Sequence, residues 1–293
     1  MSAGPFRSSV TSTTPSLNGR YVPEGHTIHR LAREHGRRLR GVPVHASSPQ
    51  GRFVAGAARL DGRPLTRAEA HGKHLFHAYD GARDGAVLHV HLGLYGGFEA
   101  GEQPAPHPRG QVRLRLETAG WWTDLRGPAA CEVLTWAEVQ ALKARLGADP
   151  LRRDADPERA WVRIARSRAP IGGLLMDQTV LSGIGNVYRA EILFRHRVHP
   201  HRPGAALGRP TWDALWPDLV ALMRYGVRRG RIDTVRPEHT PAAMGRAARQ
   251  DRHGGEVYVY RRAGLPCLAC GTAVRTEVLA SRNLFWCPTC QPD

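Results

Sequence analysis

Four cysteines near the C-terminus constrain this chain more than any other feature. Cys267 and Cys270 form one C-x-x-C pair, and Cys287 and Cys290 form a second after residues 271–286. Each pair can occupy one knuckle, and a β-hairpin between them can close a tetrahedron of thiolates around a zinc ion. Sulfur fills all four positions and leaves none for water, so one structural zinc is expected. Disulfide pairing is the alternative. The leader has no apolar signal core and the spacing is metal-like, which favours a reducing cytoplasm. Cys131, isolated from the others, reads as a small core residue.

The chain is also basic. Lys plus Arg number 42 against 26 Asp plus Glu, a formal charge of +16, and only Lys73 and Lys143 are lysines. That excess favours a polyanionic partner, with nucleic acid ahead of a membrane surface, although a GC-rich genome's use of Arg codons supplies part of it. No apolar run approaches the roughly 18 residues of a membrane-spanning helix. At 293 residues, about two domains with a real core are expected.

Residues 1–21 are rich in Ser, Thr, Pro and Gly, lack periodicity and read as a disordered leader. From Pro23 to Arg40, Ile28, Leu31, Ala32 and Leu39 share one helical face, and Gly41 is a natural stop. Residues 42–134 then switch to short alternating runs such as Val87–Leu92 and Gln111–Leu116, a sandwich or barrel pattern, so that residues 22–134 read as one N-terminal domain. Within them, Gly72-Lys73 opens a strand, and Gly93-Leu94-Tyr95-Gly96 is either a plain hairpin turn or an apolar wedge able to unstack bases. Residues 135–250 read as helical. Thr135 caps a helix from Trp136, Asp156 caps one reaching Arg166, and Ile171–Val180 looks like a buried helix. Asn186 is well typed as the N-cap of a helix reaching His196, whose free N–H groups can grip a phosphate. Trp212–Tyr225 closes the set, and residues 226–255 read as a long exposed segment. Residues 251–293 hold the zinc hairpin, with Arg282 between the knuckles.

Taken together, these stretches resemble the formamidopyrimidine-DNA glycosylase and endonuclease VIII family over residues 22–291. Pro23-Glu24-Gly25, Gly72-Lys73, Gly183-Ile184-Gly185-Asn186-Val187-Tyr188 and the Arg282 hairpin carry the resemblance, in the family's order. It implies an α+β fold: an N-terminal β-sandwich with a leading helix, a helix-two-turn-helix domain and a C-terminal zinc-finger hairpin, with damaged duplex DNA bound between. It implies a monomeric, cytoplasmic, nucleoid-associated base-excision-repair glycosylase with abasic-site lyase activity. Pro23 would attack the sugar as a secondary amine and form an iminium, with Glu24 exchanging the proton. Lys73 would hold phosphate or sugar and aid elimination. Arg282 would clamp phosphates, and Asn186 and Arg145 would hold the DNA backbone. Leu94 and Tyr95 would fill the void left by the extruded base.

Two departures shape the expectation. Many relatives carry a second acid where Thr27 stands, and the stretch Trp122–Gly127 lacks the usual purine-enzyme pattern. Both weaken the likeness to an oxidised-guanine enzyme, and the Leu94-Tyr95 pair resembles endonuclease VIII and leans toward oxidised pyrimidines, with an oxidised-purine enzyme or an inactive damage-binding protein as the alternatives. Pro23 also follows 22 residues, and an amide nitrogen cannot attack a sugar. Translation is therefore expected to begin at position 22, where Val22 fits a GUG start, or residues 1–21 are expected to be cleaved.

Overall fold

A computed structural model describes residues 23–80, 86–251 and 255–293, so the expected leader and its start site lie outside the described residues. Helix α1 (Gly25–Leu39) buries Ile28, Leu31, Ala32, His35 and Leu39 along one face, leaving Arg33 and Arg37 in water. Burying an Ile or Leu side chain fully contributes about 1.5–3 kcal/mol, so this face fixes the helix against the sheet. Gly41, at φ +79°, turns the chain out of it.

Eight strands follow: β1 (Pro43–Ser47), β2 (Arg63–His71), β3 (His74–Tyr79), β4 (Val87–His91), β5 (Gly97–Glu102), β6 (Val112–Glu117), β7 (Trp121–Arg126) and β8 (Ala130–Leu134), with helix α2 (Val54–Leu60) after β1. Their order is β5-β7-β6-β1-β2-β3-β4-β8. Only Pro43–Pro64 and Val44–Arg63 join β1 to β2, so the sheet breaks there into two halves. Leu75, Leu88 and Val90 of one half share a core with Leu114, Leu116 and Trp121 of the other and with α1, which makes a sandwich. The opposite face of β3 and β4, bearing Phe76 and Val87, packs under Val139 of α3 (Trp136–Arg145).

Thr135 and Glu138 form a capping box at the start of α3, and Asp156 caps α4 (Pro157–Ala165) through the amides of Glu158 and Arg159. The apolar run expected as a helix over 171–180 is helical only in α5 (Ile171–Leu174). Gly172 and Gly173 weaken it, and Asp177 Oδ1 accepts from the Thr179 amide at 2.8 Å, a turn that competes with helix. Its apolar character reflects burial, not helical period. Helix α6 (Asn186–Arg195) and the long α7 (Arg209–Arg229) complete this half. Of the described residues in the segment 226–255 expected to be exposed, many are, as at 236–238 and 242–245, but not all. Ile232 and Thr234 are buried, and the Glu256 carboxylate accepts from Arg246 and from the Arg249 amide, both at 2.6 Å. Strands β9 (Arg275–Leu279) and β10 (Arg282–Trp286) form the hairpin.

Candidate active site

The helical half meets the sandwich at three glycines. A Cβ on Gly183 would lie 3.2 Å from Gly72 Cα and 3.4 Å from Gly25 Cα, and the Gly25 amide donates to Gly183 O at 2.7 Å. Backbone thus packs on backbone where Pro23-Glu24-Gly25, Gly72-Lys73 and the 183–188 turn converge. Asn186 is not the N-cap that its type suggested. It is the first residue of α6, Gly185 precedes it, and the orphan N–H groups go to Glu24 instead. The Glu24 carboxylate accepts from Gly185 at 3.0 Å, Val187 at 2.8 Å and Tyr188 at 3.3 Å. These donors are therefore already occupied and do not await a phosphate.

Glu24 is wholly buried. Burial pushes its carboxyl above the ordinary range, opposed by the Lys73 ammonium and by the three amides. Burial likewise lowers Lys73, with Glu24 opposing and Arg282 adding to the fall. A carboxyl raised and an amine lowered move toward each other, which suits proton exchange.

Lys73 lies in the tight turn from β2 to β3, after Gly72 at φ +58°. The turn is held by Asp149, a residue the sequence reading did not single out although it ends the Arg145-Leu-Gly-Ala-Asp149 stretch. Asp149 Oδ2 lies 2.7 Å from the Gly72 amide and 2.7 Å from His29 Nε2 of α1. Burial works to raise its carboxyl, but His29 and the Gly72 and Leu151 amides outweigh it and hold the pKa low.

One cleft of about 1110 Å³ joins the expected groups. Pro23, Lys73, Leu94, Tyr95, Asn186 and Arg282 all line it, with Arg126, Met176, Tyr260 and Arg261. Leu94 and Tyr95 are not a hairpin turn; they bridge β4 in one half-sheet to β5 in the other, and Tyr95 is 88% exposed. Arg145 is absent from the lining and is exposed at the end of α3, where its charge reaches His74. Arg282 opens β10 after Ala280 and Ser281, both at positive φ. Asn186 Nδ2 donates to Asn283 O at 2.8 Å, and buried Arg189, also missed in the sequence, donates to the same oxygen at 3.1 Å. Burial lowers Arg189 to about 10, so it stays cationic. Glu191 is a third missed residue. It accepts from the amides of Tyr258, Val259 and Tyr260 and so fixes the wall that carries Tyr260.

The four hairpin sulfurs lie within 4.8 Å of one another, with Cys267–Cys290 at 3.9 Å and Cys270–Cys287 at 3.4 Å. A tetrahedron of Zn–S bonds near 2.3 Å has edges of about 3.8 Å. The donors therefore fit one structural zinc.

Three family models match in order. The formamidopyrimidine-DNA glycosylase N-terminal domain covers residues 22–131, that family's H2TH domain covers 146–237, and the zinc finger found in FPG and IleRS covers 264–292. Endonuclease 8 1 of Mycobacterium tuberculosis is 57% identical over 274 residues, covering 92% of this chain and all of that protein. Formamidopyrimidine-DNA glycosylase of Thermus thermophilus is 33% identical over 281 residues, covering 93% and 98%. The Lactococcus lactis Fpg bound to DNA containing an abasic site superposes with a TM-score of 0.72 at 21% identity, covering 92% of this chain and all of that one. The chain belongs to the formamidopyrimidine-DNA glycosylase and endonuclease VIII family, the bifunctional glycosylases and abasic-site lyases of DNA repair.

Proposed function

We propose that this protein removes oxidised pyrimidines from duplex DNA and cleaves the resulting abasic site by β,δ-elimination, acting as a cytoplasmic monomer. The observation that carries the reading is the meeting of Pro23, Lys73, Asn186 and Arg282 on one cleft, with the Glu24 carboxylate buried behind them. The absence of an acid at Thr27 and the Leu94-Tyr95 pair favour pyrimidines over oxidised guanine. The 57% identity to a protein named Endonuclease 8 1 supports the endonuclease VIII side of the family.

In this mechanism the Pro23 nitrogen attacks C1′ of the everted nucleotide, and the base leaves with a proton from Glu24. Glu24 then carries the amine proton to O4′ as the C1′–O4′ bond breaks, which leaves the iminium; this withdraws electrons from C2′, whose proton is lost as the 3′-phosphate departs, and a second elimination expels the 5′-phosphate. Lys73 and Arg282 hold the phosphates, and Asn186 and Arg145 hold the flanking backbone. Tyr95 and Leu94 fill the vacated stack.

Pro23 needs a free amine, so the active form begins at that residue. Borohydride reduces only an iminium, so a Pro23-start form should give a trapped DNA adduct and the 293-residue form should not. A full-length protein that still forms the adduct through another residue refutes the role of Pro23. On duplexes with single lesions at matched salt, oxidised pyrimidines and abasic sites should be processed faster than oxidised guanine opposite cytosine. The reverse ranking makes it an oxidised-purine enzyme.

A further inference from the structure

The α3 side of the sandwich carries a row of histidines that none of these roles uses. His74 opens β3 directly across from His91 of β4, and Glu132 of β8 lies across from His89. Alternation along the strands places all four on one face. His89 Nδ1 is 2.8 Å from Glu132 Oε1, and His89 Nε2 is 2.9 Å from His74 Nδ1. The His74 ring stacks at 5.1 Å from His89 and tilts at 4.9 Å from His91. His91 lines the cleft beside Lys73, while the Glu132 side chain is 51% exposed. The row runs from the cleft to solvent.

A carboxylate can only accept, so it fixes the direction of the hydrogen bonds. His89 Nδ1–H donates to Glu132, its bare Nε2 accepts from His74 Nδ1–H, and His74 Nε2 keeps a free lone pair. The charged groups acting on the row are Lys73, Arg145 and Glu132, with His71 beside it. Burial, then the neighbouring imidazoles and Arg145, hold His74 down to about 3, and burial also lowers His89 and His91. Neutral, hydrogen-bonded imidazoles pass a proton by taking it on one nitrogen and releasing one from the other.

We propose that His91, His74, His89 and Glu132 form a relay that carries the proton lost from C2′ out of the DNA-covered cleft. The proposal rests on the lyase reading above. Elimination removes one proton from C2′ and expels the phosphate as an anion. His91 receives that proton and passes one to His74 Nε2; His74 Nδ1 passes one to His89 Nε2; His89 Nδ1 passes one to Glu132, which yields it to water. One proton enters and one leaves, and each ring ends in its other tautomer until it rotates back. His91 and His74 are in tilted ring contact without a hydrogen bond, so a ring rotation or one water closes that joint.

Histidines that merely fill space would make the same contacts, so the test reads proton movement. Strand cleavage of a preformed abasic site is measured in single turnover for wild type, Glu132→Gln and His74→Gln, with borohydride trapping alongside. Each reaction is repeated in H2O–D2O mixtures. The variants should keep DNA affinity and trapping yield within about two-fold. Cleavage should slow about ten-fold, less than the roughly 10²–10⁴ of a direct general acid or base because the relay only carries the proton onward, and a bowed proton inventory should become linear. Cleavage within two-fold of wild type with normal trapping overturns the relay. So does a joint loss of trapping and cleavage, which marks a role in folding or binding. No adduct from the wild-type Pro23-start form removes the lyase reading itself, and the relay with it.

Discussion

Gly185 has no space for a methyl group, because a Cβ there would lie 2.5 Å from the Glu24 carboxyl carbon. The carboxylate cannot retreat without dropping the amides that it accepts from. Gly185→Ala should therefore destabilise the protein by about 1–3 kcal/mol, as overpacked sites do, and depress base release. A melt and lesion assay both matching wild type would count against this. Glu24 itself sets a pH dependence. Its folded pKa lies above the unfolded value, so the folded state binds the extra proton and stability falls as pH rises through that window. In the proposed mechanism base release needs the acid form and should fall over the same window, whereas cleavage of preformed abasic sites should not. Parallel pH profiles for the two substrates would sink that assignment. Arg282 is exposed at its position on the hairpin, so Arg282→Ala should weaken lesion binding and reduce the salt slope by about 1, measured by titration at several salt concentrations.

Elements were legible in the sequence wherever a local rule governed them. Thr135 with Glu138, Asp156 with Pro157 and the apolar face of α1 each carry their own signal, and each formed as read. The failures share a cause. Asn186 is a good N-cap by type, but a carboxylate from residue 24 took the position, and no local pattern announces a cap from so far away. The 171–180 run was apolar because neighbours cover it, which burial alone cannot distinguish from helix. Asp149 joins α1, the β2–β3 turn and the loop before Leu151, three elements that meet only in the folded chain. Its folded pKa is held below the unfolded value, so its contribution is present near neutrality and lost as pH falls through the folded pKa. Asp149→Asn should cost about 1.5–3 kcal/mol at pH 7, the range for hydrogen bonds to a charged group, and much less in acid. Equal losses at both pH values, by denaturant titration, would contradict this.

At the scale of the whole molecule, the described residues form two principal cores, and the zinc site belongs to one of them. Cys267, Val274, Phe285 and Cys287 share a cluster with the helices, while the sandwich and α1 close around a separate one. Chelation or Cys287→Ser should therefore misplace Arg282, abolish DNA binding and loosen the helical half, leaving the sandwich folded. Active protein with a zinc content near zero would refute it. The two halves are also joined at Glu24, whose carboxylate caps α6 from across the junction. That arrangement limits how such a protein can decay over generations. A substitution that silences the acid also uncaps a helix in the other half, so loss of chemistry arrives with loss of structure. On the proposed mechanism, a lineage drifting toward a passive damage binder would more readily lose Lys73 or a free amine at Pro23, and would keep Glu24 long after its protons had stopped moving.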